Sequence, residues 1–113
     1  MFGNYIMTPE GKVKDTVKKL LKSHGAYYHM PVQNGMGSPT LDFICCHQGR
    51  YFAVETKAAG KKLTERQEST KAQIEASGGK VFVVSDAESL YELQVWLENS
   101  GFKMSSDIHG LDN

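Results

Sequence analysis

One face of the segment from about residue 9 to residue 24 carries apolar side chains at helical spacing, namely Val13, Val17, Leu20 and Leu21. Lysines take the remaining faces, a pattern typical of an amphipathic helix with a solvated side. Thr8 and Pro9 suit its start, because threonine can cap free amides and proline has no amide to leave unpaired there. Gly25 predicts the end of this first helix.

Three extended segments are predicted next. Residues 26–32 are aromatic and read as a first strand, and residues 33–39 have the composition of a loop. Residues 41–47 and 51–57 read as two strands, and the short glycine-containing link between them is typical of an antiparallel hairpin.

The second half of the chain predicts a helix, a strand and a helix. After residues 58–62 leave the sheet, Thr64 and Gln67 fit a capping box that opens a helix ending at Gly78. Residues 80–84 are nearly all apolar and predict a central strand covered on both faces. A second capping box is expected from Ser85 to Glu88, before a helix that carries Leu90, Leu93, Val95, Trp96 and Leu97.

This order predicts an α/β fold with a mixed four-stranded sheet flanked by helices, in which the helix after the third strand crosses over to a parallel partner. The length of 113 residues suits a single domain. We expect its core within residues 8–98, including an added C-terminal helix, and a loosely held tail at 101–113, where apolar periodicity is absent.

Formal charge is balanced overall but divided along the chain. Residues 1–80 hold twelve Lys and Arg against seven Asp and Glu, and residues 81–113 hold one against six. The two parts therefore carry +5 and −5. A basic face toward a polyanion is compatible with this division, although an evenly mixed surface would be equally common.

The cysteines and the N-terminus indicate where in the cell the protein is expected. Cys45 and Cys46 are adjacent and point to opposite faces of a strand, so they are expected to be reduced thiols. The four histidines lack metal-binding spacing. No segment has signal-peptide character or the length of a membrane span. We expect a soluble cytoplasmic protein without a membrane partner, for which a phage gene acting in a bacterial host is one candidate source.

Asp42, Glu55 and Lys57 are the candidate chemical residues. Glu55 and Lys57 are two apart on a strand and share a face. Asp42 lies on the other strand of the predicted hairpin, where pairing can bring the two carboxylates within reach of one hard divalent cation. Taken singly, Asp42 could cap a turn, and the other two could form an exposed ion pair.

Four segments in this order resemble the VRR-NUC family of the PD-(D/E)XK nuclease superfamily: GSPTLDF at 37–43, GRYFAVETK at 49–57, KLT at 62–64 with Gln67, and GGKVFVV at 78–84. The similarity covers about residues 8–90, and the family's restriction-endonuclease-like core has the predicted order of elements. One departure concerns the loop, because the family usually has proline directly before the aspartate. Here Thr40 and Leu41 separate Pro39 from Asp42.

The resemblance implies a DNA endonuclease that uses Mg²⁺ or Mn²⁺. Asp42 and Glu55 would bind the metal, with the backbone carbonyl of Thr56 as a further ligand. Lys57 would hold or activate the attacking water and offset charge in the transition state. The family's stand-alone members also imply a homodimer that acts on branched DNA such as four-way junctions, in repair or recombination.

Two further residues match outlying positions of the family. Glu10 would complete the metal site, although the helix dipole alone also favours an acid in a first helical turn. Gln67 would order the site and the water, a role additional to its capping box. Lys61, Lys62 and Arg66 follow the site and are the expected contacts to DNA phosphates.

Two other functions stay open at this point. One is a DNA-binding module with this fold and no turnover, against which the intact Asp42, Glu55 and Lys57 argue. The other is a protein-interaction domain whose acidic C-terminal part binds a basic partner. Unlike the nuclease and the DNA-binding module, such a domain would show no salt-sensitive affinity for DNA.

Overall fold

The computed structural model describes residues 8–33 and 35–111, and the side chains of this part as far as Asn99. Asn34 in the predicted loop and residues 112–113 of the predicted tail lie outside it. Three helices and four strands follow the predicted order: α1 (Pro9–Ser23), β1 (Tyr27–His29), β2 (Phe43–His47), β3 (Arg50–Thr56), α2 (Glu65–Ala76), β4 (Lys80–Val84) and α3 (Ala87–Leu111). The predicted α/β class is confirmed.

Helix α1 begins and ends where its sequence predicts. The Thr8 side chain accepts a hydrogen bond from the Gly11 amide at 3.0 Å and caps the first turn. After the last turn, Gly25 adopts a φ of 71°, a conformation that glycine reaches without steric cost. Val17 and Leu21 are fully buried, so the apolar face anchors α1 on the sheet.

Strands β2 and β3 form the predicted antiparallel hairpin. Phe43 pairs with Val54, and His47 pairs with Arg50 across a two-residue turn. Both turn residues have positive φ, 54° at Gln48 and 79° at Gly49. Such a turn matches the twist of the two strands and sets their register.

Strand β1 is shorter than the predicted 26–32. Only Tyr27–His29 pairs with β2, in antiparallel register. Pro31 has no amide to donate to a neighbouring strand, so aromatic composition alone does not extend the pairing.

Strand β4 lies at the edge of the sheet, so the predicted central position is wrong. The strand order is β1-β2-β3-β4, and β4 pairs in parallel with β3, as the crossover through α2 requires. Both α2 and α3 contact β4. The apolar sequence of β4 therefore reflects the two helices that cover its faces. It does not indicate which strands lie beside β4 in the sheet.

Two apolar layers lie on opposite faces of the sheet. The larger layer packs the sheet against α1 and α3, and its aromatic part brings the ring of Trp96 to 5.0 Å from Phe52 and 5.4 Å from Phe82. The smaller layer lies under α2 and consists of Leu41, Ala53 and Val81 with Ile74. The α2 face thus leaves room for polar groups at the ends of β2 and β3.

The start and end of α3 differ from the prediction. Asp86, and not Ser85, caps the helix, because the Ser89 amide donates to Asp86 Oδ1 at 2.8 Å and Ser89 Oγ accepts the Asp86 amide at 3.1 Å. The helix also continues to Leu111 instead of giving way to a tail at 101. An existing helix propagates through its own backbone hydrogen bonds and needs no apolar periodicity to do so.

The two cysteines are free thiols, as predicted. Cys45 is buried, and burial raises the pKa of its thiol to about 12, whereas Cys46 is exposed. Within the described part of the chain, no helix combines the length and the apolar character needed to cross a membrane.

Gly79 lies close to side chains of α2 and β3, so a larger residue at this position should disturb their packing. A Cβ at this position would lie 2.7 Å from Ile74 Cγ2 and 2.9 Å from Tyr51 Cδ1. Gly79→Ala should therefore lower the free energy of unfolding by about 1–3 kcal/mol in urea denaturation. Gly37→Ala, where no heavy atom lies within 4 Å, is the control. Equal midpoints for the two variants would contradict this packing.

Candidate functional site

The antiparallel register brings Asp42 and Glu55 together. Phe43 pairs with Val54, so the residue before β2 lies opposite the residue after Val54. The Asp42 amide donates to Glu55 Oε1 at 3.0 Å. Both carboxylates are buried, with Asp42 8% and Glu55 2% exposed. The sequence-predicted acid pair is thus adjacent and largely removed from water.

Thr56 holds the Asp42 carboxylate in place. Its amide donates to Asp42 Oδ2 at 3.0 Å, and its hydroxyl donates to the same oxygen at 2.7 Å. Two donors on one oxygen fix the orientation of the carboxylate. Asp42 Oδ1 is held less tightly, because Gln33 Nε2 lies 3.5 Å and Lys14 Nζ 3.7 Å away.

Gln67 connects the start of α2 to Glu55. Its Nε2 donates to Glu55 Oε2 at 2.7 Å, while its Oε1 accepts the Thr64 amide at 2.9 Å. The reciprocal bond from the Gln67 amide to the Thr64 hydroxyl completes the predicted capping box. One side chain therefore caps the helix and orients the acid pair, so the two roles expected of Gln67 are geometrically compatible.

The carboxyl of Glu55 has a strongly raised pKa. The pKa is raised from 4.5 to a net value of about 7, chiefly by burial and next by the nearby negative charge of Asp42. The Asp42 amide and the positive charge of Lys57 lower this pKa, and Glu10 raises it further. The balance leaves an excess of negative charge that a bound cation would relieve.

Lys57 lies directly after β3 and continues its pairing with β4, since its amide donates to Val84 O at 3.0 Å. The side chain is half-buried. Its charge is close enough to influence the Glu55 pKa. Strand alternation favours the same face for Lys57 and Glu55.

Glu10 lies in the first turn of α1, and Lys14 lies between it and Asp42. Lys14 Nζ is 3.8 Å from Glu10 Oε2 and 3.7 Å from Asp42 Oδ1. Among residues whose side chains the structure describes, no three His, Cys, Asp or Glu are grouped in a way that could hold a metal ion. The structure thus joins Asp42 with Glu55 and does not join Glu10 directly to them.

The donor set at Asp42 and Glu55 fits a hard divalent cation. Carboxylate oxygens are the ligands that Mg²⁺ and Mn²⁺ prefer, and a Mg²⁺ site typically uses one or two of them. Asp42 Oδ1 has only long contacts, whereas the other three carboxylate oxygens accept bonds of 2.7–3.0 Å. Oδ1 is therefore the oxygen best available to an ion.

A groove of about 350 Å³ lies next to the acid pair. Gln33 and Gln67, which bond to Asp42 and Glu55, line it together with Arg66 from α2 and residues 35–40 from the loop. Lys61 and Lys62 are exposed on the connection between β3 and α2. Of the three basic residues proposed from the sequence, Arg66 is the one that lines this groove.

Three contacts at the site were not anticipated from the sequence. Lys14 was counted among the solvated lysines of α1, although its spacing of four from Glu10 was a visible signal. Gln33 was part of a predicted loop with no distinguishing pattern. For Thr56 the resemblance implies a role of the backbone carbonyl only, and the structure adds that its amide and hydroxyl bind Asp42.

A solved structure has a fold similar to that of this chain. The chain is similar to a structure described as "VRR_NUC domain", with a TM-score of 0.66 and 23% sequence identity, over 76% of this chain and 94% of that one. No family model matches the sequence. No curated protein matches it either. The resemblance carried by the four sequence segments is confirmed at the level of the fold.

The raised pKa of Glu55 predicts a pH-dependent stability for the metal-free protein. The native carboxyl keeps its proton to higher pH than the unfolded one, so the native state binds more protons between pH 4.5 and about 7. Stability should therefore fall as pH rises through this window, by roughly 2–3 kcal/mol. Urea denaturation in the presence of EDTA measures it.

Two variants isolate this effect. Glu55→Gln removes the titrating group and should flatten the fall between pH 4.5 and 7. Glu68→Gln, at an exposed position on α2, should keep it. A wild-type slope in Glu55→Gln would show that another group causes the pH dependence.

Proposed function

We propose that this chain is a metal-dependent endonuclease that hydrolyses DNA phosphodiester bonds with Mg²⁺ or Mn²⁺. The observation that carries the proposal is the buried Asp42–Glu55 pair with Lys57 beside it. Two acids and an ammonium group at the ends of neighbouring strands suit phosphate chemistry better than structural support, because a buried like-charge pair destabilises a metal-free fold.

Each residue of the site has a distinct role in the proposed reaction. Asp42 and Glu55 would hold the ion, with the Thr56 carbonyl as a further ligand. The chemistry that it would supply is that of a Lewis acid, which lowers the pKa of water and polarises a phosphoryl oxygen. Lys57 orients the attacking water and offsets the negative charge that develops on the phosphate.

Gln67 and the donor groups of Thr56 act as positioning residues. Gln67 holds Glu55 Oε2, and Thr56 holds Asp42 Oδ2. These bonds leave Asp42 Oδ1 with only the longer contacts to Gln33 and Lys14. A fixed carboxylate geometry reduces the reorganisation needed when the ion and phosphate bind.

DNA enters the proposal through the groove beside the acids. Arg66 on α2 lines this groove, and Lys61 and Lys62 lie on the connection that precedes α2, so all three are candidates for phosphate contacts. The formal charge of +5 over residues 1–80 is compatible with the approach of a polyanion.

The finer parts of the proposal are a preference for branched DNA such as four-way junctions, action as a homodimer, and a cytoplasmic role in DNA repair or recombination. Their support is the resemblance of the four sequence segments to the VRR-NUC family, together with the similar fold of the VRR_NUC domain. Two symmetric sites in a dimer would suit a substrate with two equivalent strands.

A cleavage panel tests the proposal. Single-stranded, duplex, flap and four-way DNA are incubated with Mg²⁺, with Mn²⁺ or with EDTA. We expect metal-dependent cleavage, fastest on the branched substrates. Lys57→Ala should reduce the rate by about 10²–10³-fold, because a charge aimed at the transition state is lost. Lys22→Ala, at an exposed position at the far end of α1, should cut at the wild-type rate.

Each negative outcome has a separate meaning. Cleavage by Lys57→Ala at the wild-type rate would overturn the catalytic role of Lys57. Salt-sensitive DNA binding without cleavage would identify a non-catalytic DNA-binding module. Absence of salt-sensitive binding would favour a protein-interaction domain.

A further inference from the structure

Lys14 differs from the other lysines of α1 in its surroundings. Its side chain is 36% exposed, whereas that of Lys19 is 78% exposed and pairs with Asp15 on the same helix. Lys14 instead reaches across from α1 to the loop before β2. It approaches Asp42 Oδ1 and Glu10 Oε2, two carboxylates on different elements.

The position of the Lys14 ammonium matters because of the oxygen that it faces. Asp42 Oδ1 is the carboxylate oxygen of the pair best available to a metal ion. Glu10 is the outlying acid that the resemblance assigns to the metal site. A positive charge between these two oxygens balances Glu10 and repels a further cation from the same place.

We propose that Lys14 takes the place of a second metal ion, so that the site binds one divalent cation, on Asp42 and Glu55. This inference rests on the proposed metal-dependent function and adds the number of divalent cations that the site binds. Glu10 then pairs with Lys14 and is not a direct ligand of the metal. The arrangement agrees with the lack of a three-acid cluster among the side chains that the structure describes.

The contact lengths support an electrostatic role for Lys14. At 3.7 and 3.8 Å, both pairs are ion pairs beyond normal hydrogen-bond length. The ammonium is therefore not needed to hold either carboxylate in place, a task that Thr56 performs for Asp42. Removing the charge of Lys14 should leave the fold intact and change the affinity of the site for cations.

Titration calorimetry with Mn²⁺, in the absence of DNA, tests the proposal. The wild-type chain should bind one Mn²⁺. Lys14→Ala should bind a second, and the first should bind about three- to tenfold more tightly because a nearby positive charge is gone. Lys14→Met, which keeps an apolar stem without the charge, should behave in the same way. Lys12→Ala, at an exposed position on the same helix, should match wild type.

Glu10 provides the second arm of the experiment. Glu10→Gln alone should change the wild-type Mn²⁺ affinity by less than about twofold, because Glu10 is paired with Lys14 and does not bind the ion. In the Lys14→Ala background, Glu10→Gln should remove the second Mn²⁺. This double-mutant cycle separates a specific site from a general change in charge.

The outcomes distinguish this inference from the proposed function. Two Mn²⁺ in the wild type, or one in both Lys14 variants, would overturn the role of Lys14, and Asp42 and Glu55 would still bind metal. Loss of all Mn²⁺ binding in Asp42→Asn, with binding present in the wild type, confirms the shared site. No Mn²⁺ binding by the wild type would overturn both proposals.

Discussion

The pairing of β2 with β3 is the constraint on which the rest of this site depends. Once Phe43 lies opposite Val54, Asp42 must lie opposite Glu55, and two carboxylates meet in a region that excludes water. A slip of one residue would send Glu55 to the opposite face and separate the pair. The two-residue turn at Gln48 and Gly49 protects the register, because it tolerates no change in loop length without a different turn geometry.

The surroundings of the acid pair can be understood as a response to its charge. Thr56 directs two donors at Asp42, Gln67 directs one at Glu55, and Lys14 places a positive charge near Asp42 Oδ1. These contacts do not compensate the burial, since the pKa of Glu55 still rises to about 7. A strongly shifted pKa at a buried carboxyl marks Glu55 as a candidate functional group.

Local sequence signals predicted most of the fold because they are local physical effects. The Thr8 cap, the Thr64–Gln67 box and the hairpin turn each depend on a few adjacent residues. The edge position of β4 could not be predicted, because an apolar strand shows only that helices cover its two faces. It does not show whether another strand lies on each side of it. Asp42, Glu55 and Lys57 were identified as a set through their spacing and the resemblance. The contacts of Lys14 and Gln33 with Asp42 arise from tertiary packing, which no spacing along the chain encodes.

The central claim is that Asp42 and Glu55 together bind one divalent cation. Anomalous diffraction from crystals of the protein soaked in Mn²⁺ tests it most directly, because it locates the ion independently of activity. We expect one strong anomalous peak for Mn²⁺ at about 2.0–2.3 Å from oxygens of both carboxylates, without Glu10 as a ligand. A peak that involves neither carboxylate, or none under conditions where Mn²⁺ binds in solution, would contradict the claim.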